Sequence, residues 1–252
     1  MRPALTSTKN PIVQDARRLH AAKERHRSGR ILIEGPTLVA EAVKSGIEFL
    51  TLFIADGEQD DSGSFMDSGV SVVPVSEHVL AAIGTTVNPR APIGIARRPV
   101  ASSKLGAVDC LVLHDVQEPG NAGTMARTAV ALGLHPVSVG GSVDMWSPKT
   151  LRAGAGAQFG DVPHVVASIE ELRSAGLYTV ALVVSGGESL DVLDSRGPVA
   201  IVVGNEAKGL ARATVDSCDT TVTLDMAGRF ESLNAATAAS IAMWERARRR
   251  PG

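Results

Sequence analysis

Three runs of nearly unbroken apolar residues constrain this chain most: CLVLHDV (110–116), YTVALVV (178–184) and PVAIVVG (198–204). A strand with one wet face alternates apolar and polar side chains. A short run that is apolar at almost every position has both faces covered. Each run ends at a turn, and helical patterns fill the intervals, one of them opened by a capping box of Ser168 and Glu171. HPVSVG (135–140) and TVTLDM (221–226) supply two more strands, and a last helix is expected from about Ser232 to Arg249. Buried strands alternating with helices imply a parallel sheet covered on both sides. Val, Leu, Ile and Ala must fill that core, because only 3% of the 252 residues are aromatic.

The first half has a different rhythm. It reads helix (Pro11–Lys23), strand (Arg30–Ile33), helix (Pro36–Ser45), strand (Leu50–Ile54), helix (Glu77–Ala82) and strand (Ile93–Ala96), a small α/β domain. RRPVASSKLGA (97–107) has Pro, Ser, Gly and Lys without apolar periodicity, as a linker does. The expected division is a domain at 1–97, a linker at 98–106 and a second domain at 107–252. The net charge of −2 predicts no bulk attraction to polyanions, yet residues 1–30 carry eight Lys or Arg against two acids. Arg17, Arg18, Arg25 and Arg27 lie in that stretch. Such a patch grips phosphate backbones or is a solvated helix face, and charge alone leaves both open.

Other classes recede. The two cysteines, Cys110 and Cys218, form no CxxC and read as buried thiols of a reducing cytoplasm. The six His are scattered, so no metal is expected. No apolar run reaches the roughly 18 residues of a membrane span, and the N-terminus lacks a signal-peptide core. GAGAQFG (154–160) hints at a dinucleotide fingerprint, but it has three residues between its second and third glycines and follows a helical pattern. A nicotinamide oxidoreductase needs strand, glycine turn, then helix; small residues for close packing explain the stretch better.

Three loops carry the chemistry. In VQEPGNAGTMARTAVALG (116–133), Asn121 is a candidate cap for a helix whose buried face holds Ala122, Met125, Ala126, Ala129 and Val130. Arg127 lies about 100° round from Ala126, on the flank facing the strand's carboxyl end, where open α/β sheets bind ligands. From this stretch alone a solvated surface charge is the simpler reading. In VVGNEAKGL (202–210), glycines after a buried strand let backbone approach a ligand, and Glu206 is either a helix-start charge or a ligand-loop residue. In LDMAGRFESLNAATAAS (224–240), Ser232 is a candidate N-cap. Asn234 occupies a first turn where Leu or Lys would stabilise a helix better.

Together and in this order, these stretches resemble the three motifs of the SpoU class of RNA ribose methyltransferases in the SPOUT superfamily. The motifs are Asn121-x-Gly123-x-x-x-Arg127, Gly204-x-Glu206-x-x-Gly209 and Glu231-Ser232-Leu233-Asn234. SGRILIEGPTLVAEAV (28–43) is similar to the substrate-binding domain many members carry. Asp225 departs from the pattern, standing where the family has Pro.

The resemblance implies a small N-terminal RNA-binding α/β domain followed by a parallel-sheet catalytic domain with a deep trefoil knot. It implies methyl transfer from S-adenosylmethionine to a ribose 2′-hydroxyl, with the donor held by Leu182, Gly204, Leu224, Met226 and Leu233. Arg127, Asn121, Glu206, Ser232 and Asn234 become the catalytic set. Arg127 and Arg152 join the N-terminal arginines as RNA contacts. A guanidinium holds its proton in nearly every protein setting, so an electrostatic clamp is preferred over a base as the role of Arg127. The family also implies a homodimer packed through the knot, for which the small residues Ala235 to Ser240 are suited. Large-subunit (23S) ribosomal RNA is the expected substrate, with resistance to ribosome-targeting antibiotics as one role of such enzymes. Transfer RNA methylation and an inactive RNA-binding module are the alternatives.

Overall fold

The computed structural model describes residues 3–57, 70–101, 104–194, 197–226, 228 and 232–249. The chain forms two compact units, Met1–Pro99 with Trp146–Gly160, and Val100–Met145 with Asp161–Gly252. The described part of the expected linker, 98–106, is neither helix nor strand.

The first unit runs α1 (Pro11–Arg18), α2 (Ala22–Ser28), β1 (Arg30–Glu34), α3 (Pro36–Lys44), β2 (Phe49–Ala55), β3 (Ser71–Val75), α4 (Glu77–Ile83) and β4 (Ile93–Arg97). Its sheet has the order β1-β4-β2-β3, with β2 and β3 parallel and the other pairs antiparallel. Val13, Ala16 and Leu19 meet Val79, Leu80 and Ile83 over Leu32, Phe53, Val75, Ile93 and Ile95 in one core. Gly94 has no room for a side chain, since an added Cβ would lie 2.3 Å from the Phe49 ring.

Two details differ from expectation. SVVPV (71–75) forms β3, a strand absent from the expected order of elements; it lies at the sheet edge, where Pro is tolerated. The single helix expected over 11–23 is broken at residues 19–21. The Arg25 guanidinium causes the break to hold: its Nη1 donates to the carbonyls of Leu19 (2.7 Å) and His20 (2.8 Å). Arg25 is only 3% exposed.

The second unit runs β5 (Cys110–His114), α5 (Pro119–Ala131), β6 (His135–Val139), β7 (His164–Val166), α7 (Ile169–Ser174), β8 (Tyr178–Leu182), β9 (Val199–Val203), α8 (Arg212–Ser217), β10 (Thr220–Val222) and α9 (Ala235–Arg248). Between β6 and β7 the chain crosses to the first unit, where α6 (Pro148–Ala153) packs against β1. The six strands are parallel in the order β10-β8-β9-β5-β6-β7.

Period two explains the apolar runs. Leu111, Leu113, Val199, Ile201 and Val203 face one way, against Ala122, Met125, Ala126 and Ala129 of α5 and Ala236, Ala239, Ala242 and Met243 of α9. Cys110, Val112, Ala200 and Val202 face the other way, against Ile169 and Leu172 of α7. Both faces are dry, so alternation is hidden in sequence. Ala236, Ala239 and Ala242 are spent in this unit's own core, not on an outer face. Burial pushes the Cys110 thiol up to about 12 and the half-buried Cys218 thiol up to about 11, with Asp109 and Asp219 adding to each effect.

Asp109 and Arg246 form a pair sealed from water, each side chain 5% exposed. Nε and Nη2 of Arg246 grip both carboxylate oxygens at 2.9 and 3.0 Å. Its nitrogens also donate to the carbonyls of Leu193 and Gly197, while Val199 N–H donates to Asp109. The final helix is thereby tied to the amino ends of β5 and β9.

Three local expectations need correction. The helix α5 starts at Pro119 with Glu118 as N-cap, so Asn121 lies inside it and does not cap it. The last helix starts at Ala235, capped by Asn234 and not by Ser232. At α7 the capping box is incomplete: Ser168 makes no cap bond to the backbone, and Glu171 accepts from Ala167 N–H instead. Within GAGAQFG, no strand precedes the glycines; Gly154 ends α6 and Ala157–Phe159 is a 3-10 turn.

Candidate active site

Strand β5 is the hinge of the parallel sheet. The chain leaves it toward β6 on one side, and β9 lies on the other. Ligand crevices open at such switch points, outside the carboxyl ends of the strands. The loops after β5, β8, β9 and β10 gather there.

The β9 loop is shaped by Asn205 and two glycines. Asn205 Oδ1 accepts from the N–H groups of Ala207 and Lys208, closing an Asx turn, and Gly209 sits at φ +67°. The loop folds back so tightly that a Cβ on Gly204 would lie 2.5 Å from the Gly209 and Leu210 backbone. Asn205 Nδ2 also donates to the Asp115 carbonyl at 3.1 Å, pinning a non-glycine residue held at φ 58°. Gln117 Nε2 holds the same corner, donating to Asp115 Oδ1 and to the Gly141 carbonyl, both at 2.8 Å.

The turn aims Glu206 at the start of α5. Its carboxylate accepts from Gln117 N–H (3.1 Å), Glu118 N–H (3.0 Å) and Asn121 Nδ2 (3.1 Å). Partial burial pushes this carboxyl upward, but the donors from Gln117, Asn121 and Glu118 outweigh it and leave it below the usual glutamate value. Asn121 Oδ1 in turn accepts from Asn234 Nδ2 at 3.1 Å. Asn234 Oδ1 accepts from Ala236 and Thr237 N–H at the head of α9. Each amide's orientation is fixed by its neighbour. Polarity therefore runs one way, from the positive end of α9 through Asn234 and Asn121 to the negative Glu206.

Beside this chain lies a pocket of about 340 Å³. It is lined by Leu182, Val183 and Val184 after β8, by residues 203–209 after β9, and by Leu224, Met226, Ser232, Leu233, Ala235 and Ala238. All five residues expected to hold a donor, Leu182, Gly204, Leu224, Met226 and Leu233, are among them. Apolar side chains offer flat walls, and the glycine-bearing loop offers exposed peptide groups. That combination suits a small molecule with a flat apolar part and polar edges. Glu231 lies outside the described residues, and Asp225 is exposed. Among the described residues, no group of three His, Cys, Asp or Glu is placed to hold a metal, and no helix is long and apolar enough to cross a membrane.

The remaining site candidates separate. Arg127 is exposed on α5 and, among the described residues, enters no ion pair. Arg17 and Arg18 are likewise exposed and unpaired. Arg27 is bound to Glu24 through two hydrogen bonds. Arg25, expected to face RNA, is buried beneath the α1–α2 turn and spends its charge on carbonyls. Arg152 donates to Thr85 Oγ1 and lies 3.9 Å from Glu34, inside the first unit. Gln117 and Asn205 were missed as site residues. Asn205 had a signal, Asn four residues before a glycine; Gln117 had none.

A parallel α/β sheet with a small-molecule crevice at the carboxyl edge of its strands defines the class, an α/β domain that binds a small ligand at that edge. Residues 110–244 match the SpoU rRNA Methylase family and residues 10–94 the MRM3-like substrate binding domain. The chain belongs to the SpoU rRNA methylase family. It is 32% identical, over 95% of its length and 97% of the relative's, to the 23S rRNA (guanosine(2553)-2′-O)-methyltransferase RlmP of Bacillus subtilis. Its fold is similar to the AdoMet-bound rRNA methyltransferase of Sinorhizobium meliloti, with a TM-score of 0.86, 29% identity and 98% and 97% of the two chains covered. It is similar also to the SpoU methyltransferase AviRb of Streptomyces viridochromogenes in complex with AdoMet, with a TM-score of 0.81, 26% identity and 95% and 98% covered.

Proposed function

We propose that this protein transfers a methyl group from S-adenosylmethionine to a ribose 2′-hydroxyl of large-subunit ribosomal RNA. The observation that carries the reading is the convergence of three loops on one pocket, joined to the Glu206–Asn121–Asn234 chain. The names of the relatives supply the substrate class. Bound in the pocket, the donor supplies an electrophilic sulfonium methyl. Leu182, Leu224, Met226 and Leu233 enclose it, and the backbone at Gly204 and Leu233 meets its polar edges.

The chain's own work is to hold the acceptor. A ribose hydroxyl is a weak nucleophile, so charge developing on its oxygen must be stabilised. Arg127 has an unspent guanidinium for the adjacent phosphate and for that oxygen. Glu206 fixes the start of α5 and so the direction in which Arg127 projects. Asn121 and Asn234 orient the ribose only through the face their mutual bond leaves free; Ser232, exposed at the pocket rim, is the third polar contact. The trefoil knot belongs to the same reading. So does a homodimer, formed on the outer face of α9, where Trp244 is 60% exposed and Ile241 40%, beside Leu233 at 41%. A contiguous exposed apolar stripe of that kind is an interface signature.

The test is transfer of labelled methyl from S-adenosylmethionine to ribosomal RNA by the full chain, with the modified nucleotide mapped by its resistance to alkaline cleavage. Label on a base, or none on ribosomal RNA, would sink the proposal.

A further inference from the structure

The loop between α4 and β4, residues 84–92, is built in a way that closing a loop does not require. At its base Glu34, 7% exposed, accepts from Thr85 N–H, Thr85 Oγ1 and Thr86 Oγ1. Arg152 binds the same Thr85 hydroxyl. A buried carboxylate is strongly destabilising unless it is saturated with donors, so this is a heavy anchor for a surface turn. The loop then folds onto itself: an added Cβ on Gly84 would lie 2.2 Å from Pro89. From this fixed base projects Val87, 97% exposed, flanked by exposed Asn88 and Arg90.

The neighbourhood is basic. His20 Nε2 meets the carbonyl of Ile83, the last residue of α4, at 2.7 Å, so the α1–α2 turn adjoins the root of this loop. Arg17 and Arg18 end α1 there, exposed and without an ion pair among the described residues, and Arg90 is in the same state. Arg25, Arg27 and Arg30 on the same segment are consumed by carbonyls, Glu24 and Asp15. Lys9 and Lys23 are exposed as well, but Arg17 and Arg18 are the arginines of this segment left for a ligand next to the root of the loop.

We infer that residues 86–90 are a preorganised RNA-reading finger: Val87 packs on an unstacked base while Arg90, with Arg17 and Arg18, holds the flanking phosphates. This rests on the RNA substrate proposed above. Aliphatic contact with a splayed base needs a rigid support, because a mobile loop would lose the small gain to ordering entropy. Glu34 and Pro89 provide that support.

The experiment compares the full chain with Val87→Ser and Arg90→Ala, using transcribed large-subunit ribosomal RNA as probe. Val87→Ser is expected to raise KM for RNA about tenfold, from the loss of one aliphatic contact formed only in the RNA complex, with kcat, donor affinity and Tm unchanged. Arg90→Ala is expected to make the slope of log affinity against log salt shallower by about one. Unchanged KM and salt slope in both variants, with an active wild type, overturns the inference. So does a Val87→Ser defect seen only on assembled ribosomal particles, since the finger would then read protein. If the wild type methylates no RNA, the proposed function fails, and equal RNA affinity of wild type and Val87→Ser separately overturns the finger.

Discussion

Replacing Glu206 with Gln keeps the shape of the side chain and removes one acceptor. The carboxylate serves Gln117 N–H with Oε2, and Glu118 N–H and Asn121 Nδ2 with Oε1. The amide does best with its oxygen in the Oε1 place, keeping two bonds and turning its NH2 against Gln117 N–H. One bond to a charged acceptor is lost and two donors are opposed. Bonds to charged groups contribute about 1.5–3 kcal/mol, and exposure of this site takes the lower end, so a loss of about 1–2 kcal/mol in the braced state is expected. That is roughly a five- to thirtyfold fall in turnover. The assay is methyl transfer at saturating RNA and donor, beside donor affinity and Tm. Glu206→Gln should lower kcat with donor affinity nearly unchanged and Tm lowered by only a few degrees. Normal kcat would show that the brace does not position the acceptor machinery. A large Tm loss with normal activity per folded molecule would make Glu206 structural.

Arg127→Ala should abolish transfer without altering Tm, because the side chain is exposed; Arg127→Lys should also fail, since an ammonium lacks the planar fork, and near-normal turnover in either would remove Arg127 from the mechanism. Arg246→Met should cost about 3–5 kcal/mol in denaturant unfolding by stranding Asp109, with much of it recovered in the Asp109→Asn/Arg246→Met double variant; additive losses would contradict the pairing. Burial raises the Glu34 carboxyl, but its threonine donors and Arg152 leave it below the ordinary 4.5. Its stabilisation is therefore full above pH 4.5 and lost as pH falls through the lower folded value. The Tm advantage of wild type over Glu34→Gln should shrink in that acid window, and a constant difference across it would refute the assignment.

The parallel sheet was legible because both its faces are dry, so β5, β8 and β9 are written as unbroken apolar runs. The pocket was legible because three motif loops end at one sheet edge, and five named residues meet there. Helix starts were less so. Asn121 and Asn234 are both good capping residues by type, and only the second caps, because the first is drawn to Glu206. Arg25 could not be told from Arg17 by charge, since its burial depends on carbonyls that a helix break exposes. The edge strand β3 was hidden by its proline. The place of α6 was invisible, because nothing in PKTLRA says which neighbouring unit its apolar side will choose.

That last feature bears on how recognition parts can be exchanged among relatives. Leu151 and Phe159 are 1% and 3% exposed, and α6 packs on β1, so residues 146–160 complete the core of the N-terminal unit from within the catalytic half of the sequence. A chimera joined at the linker would set one protein's α6 against another's β1, leaving foreign shapes where native density requires a fit. Inheritance of a new specificity thus demands two simultaneous crossovers flanking 146–160, or compensating drift on both sides of that contact. Grafts that carry 1–99 together with 146–160 should yield folded hybrids, where grafts of 1–99 alone do not.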